Sequence, residues 1–356
     1  MPPTRPETLG WRDRFEGGLA RTLLALPGAV QTLLAGGRRV HVDGQDLAAE
    51  LQLALRLMSL AGRPSFETLP VPAARAEAAR AAAVFAGPPL PMDRVEDFVV
   101  PGPAGDLPVR HYVPPGSEPG GPLLVYFHGG GWVLCGLETH DEPCRFLARE
   151  ACTHVLSVDY RLAPEHRFPA AADDALAAFR WAAAHAADLD VAADRIAVAG
   201  DSAGGNLAIV TSLLATRDGG PRPVFQMPIY PVTDLSTKHA SYRLFADGFF
   251  LTEAQMDWYR GHYLGDAAAS DPRASPLLAG DRSGLPPAYV VTAGFDPLRD
   301  EGEAYARGLR EAGVPVTLRR HEGLIHGFVN MLSLAPVARA AMHETASALR
   351  LALRGR

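Results

Sequence analysis

From about residue 95 onward, short apolar runs alternate with amphipathic helical patterns, and that alternation decides which architectures are open to the chain. Apolar runs fall at 97–101, 107–113, 123–127, 153–159, 196–199, 224–229, 288–292 and 314–320. Helical patterns fall at 141–150, 170–185, 204–217, 300–312 and 336–353. A helix between two strands lets the second strand return parallel to the first. The pattern therefore predicts an α/β fold with a mostly parallel, eight-stranded sheet flanked by helices. Only Gly102-Pro103-Ala104-Gly105-Asp106 joins the first two runs, which is too short for a crossover, so that pair is expected to be antiparallel.

Two stretches break the alternation. Residues 1–90 read as helical: Trp11, Phe15, Leu19 and Leu23 recur every fourth position, and Leu47, Leu51, Ala54, Leu55 and Met58 form an amphipathic stripe that Asp46 is placed to cap. The Trp11–Leu23 stripe is expected to pack on its own neighbours, with an oligomer contact or a lipid surface as the other uses of such a face. Gly87-Pro88-Pro89-Leu90-Pro91 punctuates the end of this segment. The second stretch, 231–287, is rich in turn residues around a helical pattern at 252–263 and reads as a lid.

Composition removes several function classes. With 47% hydrophobic and 21% charged residues over 356 positions, the chain is not a disordered one. A net charge of −6 argues against nucleic acid as a partner. The arginines are scattered, and Lys238 is the only lysine. The apolar stretch 22–35 follows Arg12, Arg14 and Arg21, but Pro27 and Gln31 interrupt it and Asp13 and Glu16 sit in the basic flank, so it is not read as a leader. No run reaches the ~18 apolar residues of a membrane span. Cys135, Cys144 and Cys152 are odd in number and match no zinc spacing, so they are expected as free thiols in a reducing cytoplasm. Cys135 lies just past a triple-glycine loop, where a bulky thiol reagent is expected to perturb activity.

Gly200-Asp201-Ser202-Ala203-Gly204 matches G-x-S-x-G, and its setting says more than its letters. It directly follows the run 196–199 and directly precedes a helix. A serine at such a turn is held in strained backbone with its hydroxyl exposed, beside a helix N-terminus that favours developing negative charge. His128-Gly129-Gly130-Gly131-Trp132 follows the run 123–127, and consecutive glycines there let N–H groups converge on an oxyanion. Gly129, Gly130 and Ala203 are the expected oxyanion-hole donors. His128 is read as orienting the loop, because a base should come late in this chain order. Of 12 histidines, His326 in Leu324-Ile325-His326-Gly327-Phe328 follows the last run, and Asp296 follows the run before it. Both are strand-end positions, where open α/β sheets build their sites. His321 lies too close to the strand, and Asp300 is expected to cap the next helix. The order Ser202, Asp296, His326 is that of an α/β-hydrolase triad.

Four motifs now resemble the bacterial hormone-sensitive lipase family, in its subgroup with Asp before the nucleophile: HGGGW at 128–132, DYRLAPEHRFPAA at 159–171, GDSAGGN at 200–206, and Asp296-Pro297-Leu298-Arg299-Asp300 with His326-Gly327-Phe328. The resemblance covers about residue 45 to the C-terminus and leaves residues 1–44 as an addition. It implies Ser202, Asp296 and His326 as the triad, and Gly129, Gly130 and Ala203 as oxyanion donors. It also implies hydrolysis of short- to medium-chain acyl esters without a cofactor or metal. Residues 91–356 are then the catalytic domain. Residues 1–90 and the insert at about 231–287 are the cap. Trp132, Phe249, Phe250, Leu251 and Phe328 are the expected pocket walls. Within 159–171, Arg161 and Glu165 are expected to pair in a structural brace behind the oxyanion loop. The last strand is an exposed edge that offers a homodimer contact. Amide or N-acyl hydrolysis on the same triad stays open. A non-catalytic receptor is also open, although the plant gibberellin receptors that resemble the family lose the histidine that this chain keeps at 326.

Overall fold

The computed structural model describes residues 10–354; the outermost residues of both expected domains, 1–9 and 355–356, lie outside the described residues. The main sheet comprises β1 (Arg94–Gly102), β2 (Gly105–Val113), β3 (Gly121–Phe127), β4 (His154–Val158), β5 (Val191–Asp201), β6 (Gln226–Ile229), β7 (Ala288–Phe295) and β8 (Val316–Ile325). Their spatial order is β8-β7-β6-β5-β3-β4-β2-β1. Only β2 runs antiparallel to its neighbours, β1 and β4; every other pairing is parallel. The mostly parallel, eight-stranded sheet expected from the alternation is present, and so is the antiparallel start expected from the short Gly102–Asp106 link.

The helices are α1 (Trp11–Leu24), α2 (Gly28–Leu34), α3 (Ala49–Ala61), α4 (Val71–Phe85), α5 (Asp141–Ala151), α6 (Ala170–Ala184), α7 (Ala203–Arg217), α8 (Ala240–Leu244), α9 (Glu253–Leu264), α10 (Arg299–Glu311) and α11 (Pro336–Leu353). The period-2 pattern of the central strands explains how these helices stay on. Leu123, Val125 and Phe127 of β3, with Ile196 and Val198 of β5, point into one core that α6 and α7 complete. Leu124 and Tyr126, with Ala197 and Ala199, point the opposite way into a core closed by α5 and α11. Strands buried on both faces read as continuous apolar runs, which is why the runs were visible in the sequence.

Three local expectations need correction. Asp46 does not cap α3: the N-cap is Ala48, and Asp46 lies in a two-stranded ribbon, His41–Val42 with Gln45–Asp46, bonded to His41 at 2.7 Å. The ribbon turns through Asp43 and Gly44, both at positive φ (55° and 76°), and Asp-Gly between short runs is a hairpin signal. The α1 stripe packs inward only at Leu23, which lies half-buried against the cluster of Leu24, Leu53 and Leu334. Trp11, Phe15 and Leu19 are 69%, 66% and 47% exposed. The inward face is Gly17, Ala20 and Leu24, and Gly17 lets α1 approach the Val84 carbonyl of α4 closely, where a Cβ would fall at 3.0 Å. Third, β5 begins at Val191 rather than 196, pairing first with Gly121 before a register shift.

Among the described residues no helix is long and apolar enough to cross a membrane.

Candidate active site

The C-terminal ends of β3 and β5 and, across β6, those of β7 and β8 deliver His128, Ser202, Asp296 and His326 to one end of the sheet. Ser202 follows β5 as the N-cap of α7 with φ 57° and ψ −118°, a conformation L-residues rarely adopt. Its N–H donates to Ile229 O at 2.9 Å. The turn is tight because glycine flanks it: a Cβ on Gly200 would fall 2.4 Å from both the Gly204 and the Phe127 carbonyl oxygens. The Ser202 Oγ lies 2.9 Å from His326 Nε2, and His326 Nδ1 lies 2.8 Å from Asp296 Oδ2. The other Asp296 oxygen accepts the Leu298 N–H at 2.8 Å, which fixes the carboxylate plane. Asp296 is fully buried, while Ser202 and His326 keep 7% and 6% exposure, enough to meet a ligand.

The glycine loop departs from the expectation at one residue. The Gly129 N–H donates inward to Asp201 Oδ1 at 2.9 Å, so it faces the interior and is not placed to bind an oxyanion. The loop then turns through Gly130 (φ 110°), Gly131 (φ 61°) and Trp132 (φ 60°). Among the described residues the N–H groups of Gly130, Gly131 and Ala203 have no bonded acceptor. These three, not Gly129, have free donors at the strand end beside Ser202. Glycine is required here: a Cβ on Gly130 would sit 2.3 Å from Leu134 O, and one on Gly131 2.2 Å from the Tyr259 ring.

Asp201, directly before the serine, is held from several sides. Tyr126 Oη donates to it at 2.8 Å, Tyr230 Oη lies at 3.4 Å, and His140 Nε2 lies at 3.2 Å. Burial alone would raise this carboxyl, but His140 and the donated bonds outweigh it and hold it below the ordinary carboxylate range. Position in sequence singled out Asp201. Nothing local pointed to His140, which comes from a separate turn after β3. His128 Nδ1 donates to Gly129 O at 2.7 Å, and its ring stacks on Tyr160 at 4.2 Å. Burial depresses its pKa to about 3, so it is neutral and suited to orienting the loop.

The brace behind the loop exists with different partners. Arg161 pairs with Asp174 of α6 at 2.7 Å, whereas Glu165 pairs with Arg75 of α4 at 2.7 Å. Arg75 also donates to Val133 O (2.8 Å) and Ala163 O (2.9 Å), tying the segment just past the glycine loop to 163–165. Asp300 is not the α10 cap; it lies in the first turn and accepts the Ser241 N–H at 2.8 Å.

The expected pocket residues divide. Trp132 is fully buried and stacks face to face on Tyr263 at 4.1 Å, and Phe328 is fully buried edge-on to Tyr230. Both rings are occupied by packing and belong to the core. Phe249 and Phe250 are half-buried and Leu251 is buried beside them. Phe250 lies against Gly327, next to His326: a Cβ on Gly327 would fall 2.6 Å from its ring.

Residues 124–330 match the model of a family described as alpha/beta hydrolase fold. The chain is 45% identical over 352 residues to the carboxylic ester hydrolase LipN of Mycobacterium tuberculosis, which spans 96% of this chain and 93% of the relative. It is 42% identical to an ethyl acetate hydrolase of Pseudomonas putida, over 81% of this chain and 92% of that one. Among solved structures it resembles an ester hydrolase from the metagenome of Lake Arreo, complexed with a derivative of bipyridine phosphonate. The TM-score is 0.84 at 44% identity, covering 86% of this chain and 98% of the other.

Proposed function

The chain belongs to the α/β-hydrolase fold family, as a hormone-sensitive-lipase-like carboxylic ester hydrolase, and from that premise we propose that it cleaves short- to medium-chain acyl esters through an acyl-enzyme on Ser202. The observation that carries this reading is the unbroken chain Ser202 Oγ, His326 Nε2, His326 Nδ1, Asp296 Oδ2, with links of 2.9 and 2.8 Å. His326 Nε2 takes the Ser202 proton as Oγ attacks the ester carbonyl carbon. The carbonyl oxygen becomes an oxyanion held by the N–H groups of Gly130, Gly131 and Ala203, at the positive end of α7. His326 Nε2 then returns the proton to the departing alcohol oxygen, leaving the acyl group on Ser202. Water repeats the sequence and frees the acid. Asp296 accepts the Nδ1–H throughout, fixing the tautomer and favouring the imidazolium.

In this reading residues 91–354 are the catalytic domain, with residues 10–90 and 231–287 as its cap. Support comes from the Gln255 side chain of α9, which donates to Ser65 Oγ at 3.0 Å and so joins the two cap stretches. The departing alcohol must lie within reach of His326, so Phe250, against Gly327, walls the alcohol side. Tyr259, against Gly131, walls the acyl side. The substrate is a small-molecule acyl ester, and the name of the Pseudomonas putida relative supports a short acyl group. The free thiols of Cys135, Cys144 and Cys152 suit the cytoplasm, and the outer edge of β8 suits a homodimer.

Replacing Ser202 with Ala is expected to lower turnover of a nitrophenyl butyrate ester on the order of 10⁶-fold. A variant that keeps most of its activity removes Ser202 from the mechanism. In an acyl-length series, an optimum beyond about ten carbons excludes the short- to medium-chain substrate.

A further inference from the structure

We propose that His140 is a positioning residue for the oxyanion loop, acting through Asp201 and tying that loop to the segment that carries His326. The inference rests on the reading of Ser202 as nucleophile. His140 ends the short turn Glu138–His140 and is 1% exposed. Its Nδ1 lies 2.9 Å from Thr139 Oγ1, whose hydroxyl is itself anchored to the backbone of Gly136, so the ring plane is set. Its Nε2 faces Asp201 Oδ1 at 3.2 Å, with Gly129 N at 3.3 Å and Asn330 Nδ2 at 3.4 Å. Three parts of the machinery meet at one nitrogen: the root of the glycine loop, the residue before the nucleophile, and the turn Phe328–Asn330 that follows His326.

The position of the oxyanion donors depends on this contact. Gly130 and Gly131 can present their N–H groups only if the residue before them is fixed, and the Gly129 N–H is fixed by a carboxylate that never touches substrate. That carboxylate is buried, so it keeps its charge only through its partners. Without the imidazole, Asp201 retains Tyr126, Gly129 and the distant Tyr230 hydroxyl, and burial drives it toward the neutral acid. A neutral carboxyl brings an O–H that must find its own acceptor and is a weaker acceptor for Gly129. The fit around the loop is too close to absorb this, since a Cβ on Gly129 would already fall 2.4 Å from Asp201 Oδ2. The donors then drift from the oxyanion while Ser202, His326 and Asp296 stay in place. The loss therefore falls on transition-state binding rather than on substrate binding.

The test compares His140→Phe, which keeps a ring against Tyr126 and His128, with His140→Gln, whose amide can still donate to Asp201. Wild type is first shown to be labelled at Ser202 by a fluorophosphonate. If it is not, the nucleophile assignment fails, and that failure is distinct from the present one. For folded His140→Phe, kcat on nitrophenyl butyrate is expected to fall about 10- to 100-fold with KM within about twofold. Affinity for a trifluoromethyl ketone, which forms an oxyanion on Ser202, falls in parallel, and affinity for the product carboxylate does not. His140→Gln recovers at least half of the loss on a logarithmic scale. Unchanged kcat in folded His140→Phe, equal loss of ketone and product affinity, or no recovery in His140→Gln each overturns the proposal. If His140→Phe does not fold, Thr139→Val carries the test: a severalfold fall in kcat at constant KM supports the proposal, and wild-type kcat refutes it.

Discussion

Gly204 lies in the first turn of α7, one residue past the Ala203 donor, where the helix presses against the end of β3. A Cβ added there would fall 1.9 Å from Phe127 O and 2.6 Å from His128 O, whereas real Cβ contacts do not come below 3.0 Å. Both obstacles are backbone, so no side chain can rotate away. Gly204→Ala must therefore separate α7 from the end of β3 by about 1 Å, on the scale at which misplacement costs on the order of 10² in rate. The two parts pushed apart are those that matter: α7 carries Ser202 and Ala203, and β3 leads directly into Gly130 and Gly131. Overpacking adds about 1–3 kcal/mol of destabilisation. The assay is kcat and KM on nitrophenyl butyrate, with urea unfolding on the same preparation. Gly205→Ala is the control, because its nearest approach is 3.0 Å, to Pro231 Cβ, and it should stay within a few-fold of wild type. A folded Gly204→Ala enzyme with kcat within about threefold of wild type refutes the assignment of the donors to these two elements.

Phe250 is held at φ 79° against Gly327, so Phe250→Ala should open the alcohol side alone. At a fixed acyl group, kcat/KM for bulky alcohols should rise about tenfold relative to small ones, the scale of a hydrophobic wall, with the acyl-length profile unchanged. A shifted acyl profile would reverse the assignment of sides. The buried His111 ring lies 3.0 Å from His154, and burial, then His154 and Arg94, depress its pKa to about 3. In the unfolded chain it binds a proton near the ordinary imidazole value of 6.5, so its contribution to stability is present above that pH and is lost as pH falls toward 3. Its share of the slope is about 1.4 kcal/mol per pH unit, and urea melts of His111→Gln from pH 7 to 4 should be flatter by that amount. Cys152 is exposed and Cys144 buried, and burial pushes the half-buried Cys135 thiol up to about 12. At neutral pH a disulfide reagent should therefore titrate Cys152 first without loss of activity. Early modification of Cys135 would contradict this.

The strand runs were legible because a parallel strand segment buried on both faces must be apolar throughout, and Leu123–Phe127 of β3 and Ile196–Ala199 of β5 show this residue by residue. The order and placement of Ser202, Asp296 and His326 were legible for a similar reason. Each stands just past a strand, and strand ends are local features of the chain. Sequence reasoning missed the Asp43-Gly44 ribbon, because Asp46 reads as a helix cap, although the dipeptide that turns at positive φ is a local feature.

What only the tertiary structure decided is which partner each group meets. Gly129 and Gly131 look alike in a run of three glycines. The distinction comes from Asp201, 72 residues away, which claims the Gly129 amide and leaves the Gly131 amide free. Arg161 had Glu165 within local reach, yet it meets Asp174 because α6 folds back over the segment, while Glu165 is taken by Arg75 from the N-terminal helices. Trp132 and Phe328 could have been pocket walls by position, but Tyr263 and Tyr230 cover them. The fourfold spacing of Trp11, Phe15 and Leu19 gave the helix and its stripe, but not the direction the stripe faces. Periodicity along one element fixes which side chains share a face. Which face is buried depends on whether a small residue such as Gly17 lets another element come close, and that is a property of the assembled chain.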